Sequence, residues 1–173
     1  MPETAQQYIS RVNSYVKDQD PITVLAETPT RLRSLLYSLP DAQLRTRPSP
    51  ERWSIIEQIA HLADAEIAIG FRIRAIVGSP DGVAIAAYDQ NLWQQSMRYN
   101  ERELAPTLDA FTAARDNNVR LLRSLDDAAW SKFGIHSERG RETLRDVVHL
   151  AAGHDLNHLR QIEAILNKAA AAD

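Results

Sequence analysis

The chain has 173 residues, 44 % of them apolar, and no cysteine. That is enough apolar material for one core in a single domain, 1-173, and it excludes disulfides, thiolate metal sites and a protein thiol nucleophile. The formal charge of −3, from 20 basic and 23 acidic residues that are interspersed, disfavours a nucleic-acid partner, since binding duplex DNA wants a basic stripe.

Amphipathic helical patterns fill the sequence and alternating strand patterns are absent, so the expected class is all-α. A short first helix is expected over Ala5 to Val16. Asp20-Pro21 and Thr28-Pro29 each read as an N-cap followed by proline at the first helical position, and the second opens a helix running to about Ser38. Leu39-Pro40 ends it, and the loop DAQLRTRPSPERW follows. Its arginines, with Arg31 and Arg33, form a cluster broken by Asp41 and Glu51, which reads as a solvated face. Ser54-Ile55-Ile56-Glu57 matches the capping box Ser-x-x-Glu and starts a second long helix, which runs to about Val77 before Gly78-Ser79-Pro80-Asp81-Gly82 stops it. The segment VAIAAYDQNLWQQSMRYNERE is expected to hold shorter helices. A third long helix, from about Pro106 to Ser124, presents Leu108, Phe111, Val119 and Leu122 at helical spacing. The stretch DDAAWSKFGIHSERGRET reads as a loop, and a fourth long helix covers Thr143 to Asn167. Four long helices are what a four-helix bundle requires, and sites in such bundles are built from facing helices.

His154 and His158 lie four residues apart on the fourth helix, so both rings point the same way and one metal ion can bridge them. At about 100° per residue they fall at the edge of the stripe formed by Leu144, Val147, Val148, Ala151, Leu159 and Ile162. His149 falls on the opposite, solvated side. His61 lies opposite Ile55, Ile59 and Leu62 on the second helix. Two readings of it stay open: a ligand above the small Ala65 and Ala68, its tautomer fixed by Glu57, or a surface residue paired with Glu57. Asp155 sits near the centre of the apolar stripe and also has two readings. HDLNH differs from the zinc-protease motif only by aspartate for glutamate, which makes Asp155 a weak candidate catalytic base. Alternatively, Asp155 pairs with an arginine or a loop N–H.

Four segments, WSIIEQIAHLADAE, YDQNLWQQSMRYNERE, DDAAWSKFGIHSERGRETLRD and HDLNHLRQI, together resemble the DinB/YfiT-like metalloenzyme superfamily from about Thr28 to Leu166. The resemblance implies an up-down-down-up four-helix bundle with its core at about 28-167, and a three-histidine metal site of His61, His154 and His158. It implies a divalent cation, zinc or nickel, and a small-molecule substrate. Some members are thiol S-transferases that use an external low-molecular-weight thiol, which a divalent cation holds as thiolate. The alternatives are a metal-dependent hydrolase and a non-catalytic ligand-binding bundle. A structural zinc normally takes four protein ligands, so three histidines with an open position favour chemistry.

Trp53 reads as core packing ahead of a helix. Tyr88, Asp89, Trp93, Arg98 and Tyr99 are candidates for the substrate entrance, and His136 reads as exposed. Homodimerisation is implied by the resemblance, and Leu156 points away from the main apolar stripe. No apolar run reaches the roughly 20 residues of a membrane span, and MPETAQQYIS lacks a secretory pattern, so a cytoplasmic protein without a membrane partner is expected. Because imidazoles bind metal in the neutral form, metal affinity is expected to fall as pH drops through roughly 6.5.

Overall fold

The computed structural model describes residues 3–170. Four long helices, α2 (Pro21–Leu36), α4 (Ile55–Gly78), α6 (Leu104–Ser124) and α7 (Leu144–Ala170), form the bundle, and α1 (Ala5–Ser14), α3 (Asp41–Arg45) and α5 (Gln90–Ser96) pack around it. In the bundle α2 contacts α6 and α7, and α4 contacts the same two.

Pairwise contacts set the helix directions. Arg33 meets Asp109 at 2.8 Å and Arg115 donates to the Leu25 carbonyl at 2.9 Å, so α2 and α6 are antiparallel. Asp64 meets Arg102 just ahead of α6, and the Val77 carbonyl meets Lys132 just beyond it, so α4 and α6 are parallel. Gln58 meets His158 and His61 meets His154, so α4 and α7 are antiparallel. The bundle therefore runs up, down, down, up.

The capping box at the head of α4 is complete. Glu57 N–H donates to Ser54 Oγ at 3.3 Å, and Ser54 N–H donates to Glu57 Oε2 at 2.8 Å. Ahead of α1, Thr4 and Gln7 make the same reciprocal pair. Asp20 caps α2 by accepting the Thr23 N–H at 2.9 Å.

Three expectations need correction. The helix expected to begin at Thr28-Pro29 is the second half of α2, which begins at Pro21 and continues through Pro29. Proline at 29 deprives the Leu25 carbonyl of its i+4 donor, and Arg115 of α6 supplies one instead. The break is thus repaired by a residue remote in sequence.

The architecture is also not purely helical. Strands β1 (Val83–Ile85), β2 (Phe133–His136) and β3 (Gly140–Thr143) form a three-stranded sheet in the order β1-β2-β3. β1 pairs parallel with β2, aligning Ile85 with His136, and β2 pairs antiparallel with β3. Gly140 sits at φ +78°, a backbone conformation that glycine adopts without strain and that reverses the chain into β3. Strands of three and four residues are too short to display alternation.

Leu156 is buried at 7 % exposure within the core, so it offers no surface for self-association. No helix among the described residues is long and apolar enough to cross a membrane.

Candidate metal centre

α4 lies between α6 and α7, with α3 and α5 against its start, and every residue from Ser54 to Ala63 is buried. His61 is therefore 1 % exposed although it faces away from the Ile55–Ile59–Leu62 stripe. A single apolar stripe presumes one packed face, and this half of α4 has partners all round.

His61 projects across to the two α7 histidines. Its Nε2 lies 2.9 Å from His154 Nε2, and His158 Nε2 lies 3.2 Å from the same atom. One ligand atom from each ring falls within 4.8 Å of the others. His158 Nδ1–H donates to Gln58 Oε1 at 3.1 Å, which leaves the His158 Nε2 lone pair facing the cluster. Trp53, half-buried ahead of α4, sets its ring edge against His61 at 5.0 Å, so its packing extends to the site.

Protons alone do not satisfy this arrangement. With the His158 proton on Nδ1, His158 Nε2 is an acceptor. If His154 Nε2 also carries a lone pair, the two repel; if it carries a proton, that proton aligns with only one of its two neighbours. An electrophile shared by all three resolves the conflict. Ligand nitrogens at about 2.0–2.1 Å from one ion lie roughly 2.8–3.4 Å apart for angles from about 90° to the tetrahedral value, and the two observed separations lie in that range. Neutral imidazole donors suit zinc or nickel.

Burial is the main cause that keeps all three rings neutral. It pushes His61 down to about 3, with help from His154, and His154 down to about 4, with help from the Arg115 charge. His158 is held well below its ordinary value by burial and the two other rings. The expected loss of metal affinity on passing through pH 6.5 is accordingly displaced to more acid conditions in the folded chain.

Glu57 does not fix the His61 tautomer. Its carboxylate is taken by Arg47, the Ser54 N–H and Gln94. Asp155, beside His154, is 1 % exposed and clasped by Arg115 through contacts of 2.5 and 3.1 Å. Arg115 also meets Glu66 at 2.8 Å, giving a buried Glu66–Arg115–Asp155 group that ties α4, α6 and α7 together. The arginine-paired reading of Asp155 describes its contacts.

A cavity of about 470 Å³ opens beside His154, between α4 and α7. Ala65 and Ile69 line one side, Val147 and Ala151 the other, and Tyr8 of α1 adds to the wall. Among the entrance candidates, Tyr88 and Asp89 line this cavity, and Trp93 stacks on Tyr88 at 4.2 Å. Arg98 is exposed and pairs with Glu101, while Tyr99 is buried beneath Arg102. His136, expected to be exposed, is 2 % exposed and lines the cavity. The short sheet carries it there, which no helical periodicity signals. His149 is half-buried, its Nδ1 3.4 Å from Asn13 Oδ1, because α1 packs over that face of α7.

The sequence profile of the DinB superfamily matches residues 25–162. The chain belongs to the DinB superfamily. It is 25 % identical over 144 residues to "Putative metal-dependent hydrolase YfiT" of Bacillus subtilis, covering 82 % of this chain and 79 % of that protein. It is 24 % identical over 147 residues to a protein of Oceanobacillus iheyensis that carries the same description, "Putative metal-dependent hydrolase", covering 85 % and 84 %. The solved structure of Bacillus subtilis YfiT, described as "a probable metal-dependent hydrolase with an unusual four-helix bundle topology", superposes with a TM-score of 0.82 at 21 % identity, covering 96 % of this chain and 90 % of that one. At that identity the superposition bears on the fold, and the DinB bundle found here agrees with it.

Proposed function

We propose that this DinB-superfamily protein is a metal-dependent enzyme acting on a small molecule, with His61, His154 and His158 holding one divalent ion through Nε2. The observation that carries this reading is the convergence of three neutral imidazole nitrogens beside a cavity large enough for a small ligand. When bound, such an ion acts as a Lewis acid and makes a nucleophile available at neutral pH.

The chain's own residues supply orientation and a cavity wall. Gln58 fixes the His158 ring, as partners of metal ligands commonly do. Tyr8 and Tyr88 line the cavity. Asp155 serves the bundle as the partner of Arg115 and is not the general base.

Hydrolysis is the reaction favoured by the descriptions of the two relatives. Transfer of an external low-molecular-weight thiol is a second reading, favoured by a chain that has no cysteine of its own. Zinc and nickel both suit the donor set.

Turnover assays on zinc- and nickel-loaded protein test the proposal. Panels of esters, amides and electrophiles are offered with and without a low-molecular-weight thiol, with His61→Ala as control. Turnover by water alone identifies a hydrolase, and turnover only with thiol identifies a transferase. Ligand binding without turnover in either assay would leave a binding protein and contradict the enzymatic reading.

A further inference from the structure

The wall of the cavity away from His61, His154 and His158 carries a cation without a counter-ion among the described residues. Arg72 leaves α4 three turns beyond His61 and donates Nη2–H to the Ala86 carbonyl at 3.0 Å, with its guanidinium over the Tyr88 ring. Among the described residues no carboxylate lies within ion-pair reach of it, whereas the neighbouring Arg139 donates from Nε and Nη2 to the two carboxylate oxygens of Glu142. The acids that line the cavity do not compensate it: Glu3 is bound by Arg11, and Asp89 accepts the N–H groups of Asn91 and Leu92. Glu138, the remaining acid, is exposed. Burial and the nearby Arg139 charge lower the Arg72 pKa from its ordinary value, as expected of a desolvated cation lacking an anion.

His136 adds a second, independent observation from a different element. Its Nδ1 accepts the Glu138 N–H at 3.2 Å, so the ring proton is on Nε2, and that buried N–H has no acceptor among the described residues. Native proteins rarely leave a buried donor unmatched. The sheet register brings the two groups to one place, because Ile85 pairs with His136 and the next residue, Ala86, is the one that Arg72 grips.

We propose that Arg72 and His136 form a subsite for a carboxylate, so that the substrate is a small molecule with one end at the three histidines and an anionic end at this wall. A guanidinium beside an N–H donor matches carboxylate geometry. The eleven residues from His61 to Arg72 span roughly 16 Å along the helix axis, and the arginine side chain leans back toward the helix start. The substrate must therefore be extended. This subsite rests on the metal-dependent reading above and adds the class of ligand to it.

The test uses cobalt-loaded protein titrated with ω-mercaptocarboxylates of increasing length, each compared with the ω-mercaptoalcohol of equal length. Binding is followed by the thiolate-to-cobalt absorption. At one intermediate length the carboxylate is expected to bind at least tenfold tighter than the alcohol. That advantage is expected to vanish in Arg72→Gln, to survive in part in Arg72→Lys and to shrink in His136→Phe. A normal cobalt band with equal affinities at every length would overturn the subsite and leave the metal centre standing, as would an advantage kept intact in Arg72→Gln. No thiolate band on protein that holds cobalt would overturn the subsite and leave the metal centre standing, and no uptake of cobalt at all would overturn both.

Discussion

Asp155 follows a metal-candidate histidine directly and yet belongs to a different piece of chemistry. A carboxylate in the core needs a partner because desolvating an unpaired charge is costly, and Arg115 supplies it from another helix. Arg115→Met is expected to lower stability by about 3–5 kcal/mol by stranding two buried carboxylates. Asp155→Asn should cost less, about 1.5–3 kcal/mol for a lost charge-assisted contact, and should leave the metal stoichiometry at the wild-type value. Denaturant titration with metal analysis on the same samples checks both. Gln58 tests the site from the other side. Gln58→Ala frees the His158 ring and is expected to weaken metal binding by about 10–100-fold, measured by competition with a chromophoric chelator. At this scale the His154–His158 pair was legible from its i, i+4 spacing, whereas His61 joined it only through the family resemblance, because periodicity turned it away from the apolar stripe of its helix. The burial of His136 and the partner of Asp155 were not, since each depends on an element remote in sequence.

Among the elements, α1 contributes Tyr8 and Ile9 to the cavity wall. It docks on α7 at Gly153, where an added Cβ would meet the Val12 carbonyl oxygen at 2.4 Å, a backbone atom that cannot yield without moving α1. Gly153→Ala is expected to cost about 1–3 kcal/mol by overpacking and to speed amide exchange in α1 more than in α6. Equal protection in both helices would contradict that role. The four bundle helices were readable from caps and periodicity, and the Ser54–Glu57 box is the clearest case. Two features defeated that reasoning for physical reasons. Pro29 looks like a helix start until Arg115 satisfies the carbonyl it orphans. β1 finds its parallel partner about fifty residues later, beyond any local pattern.

For the whole molecule, burying three histidines ties folding to pH. Their folded-state pKa values lie below that of an unfolded histidine, about 6.5, at about 3 for His61 and about 4 for His154. Between those values and 6.5 the unfolded chain binds more protons than the folded one. Metal-free protein should therefore hold this contribution fully above about pH 6.5 and lose stability as the pH falls below it. Thermal melts of metal-free protein from pH 7.5 to 4.5 check this, and His61→Ala should flatten the slope. Bound metal should raise the melting temperature, because it binds the folded state selectively. The most direct test of the central claim is metal content, measured by mass spectrometry on tag-free protein beside His61→Ala and His158→Ala. Near-stoichiometric zinc or nickel in the wild type, lost from both variants, is the predicted result. A wild type that takes up no metal after reloading, or variants that keep it, would contradict the three-histidine centre.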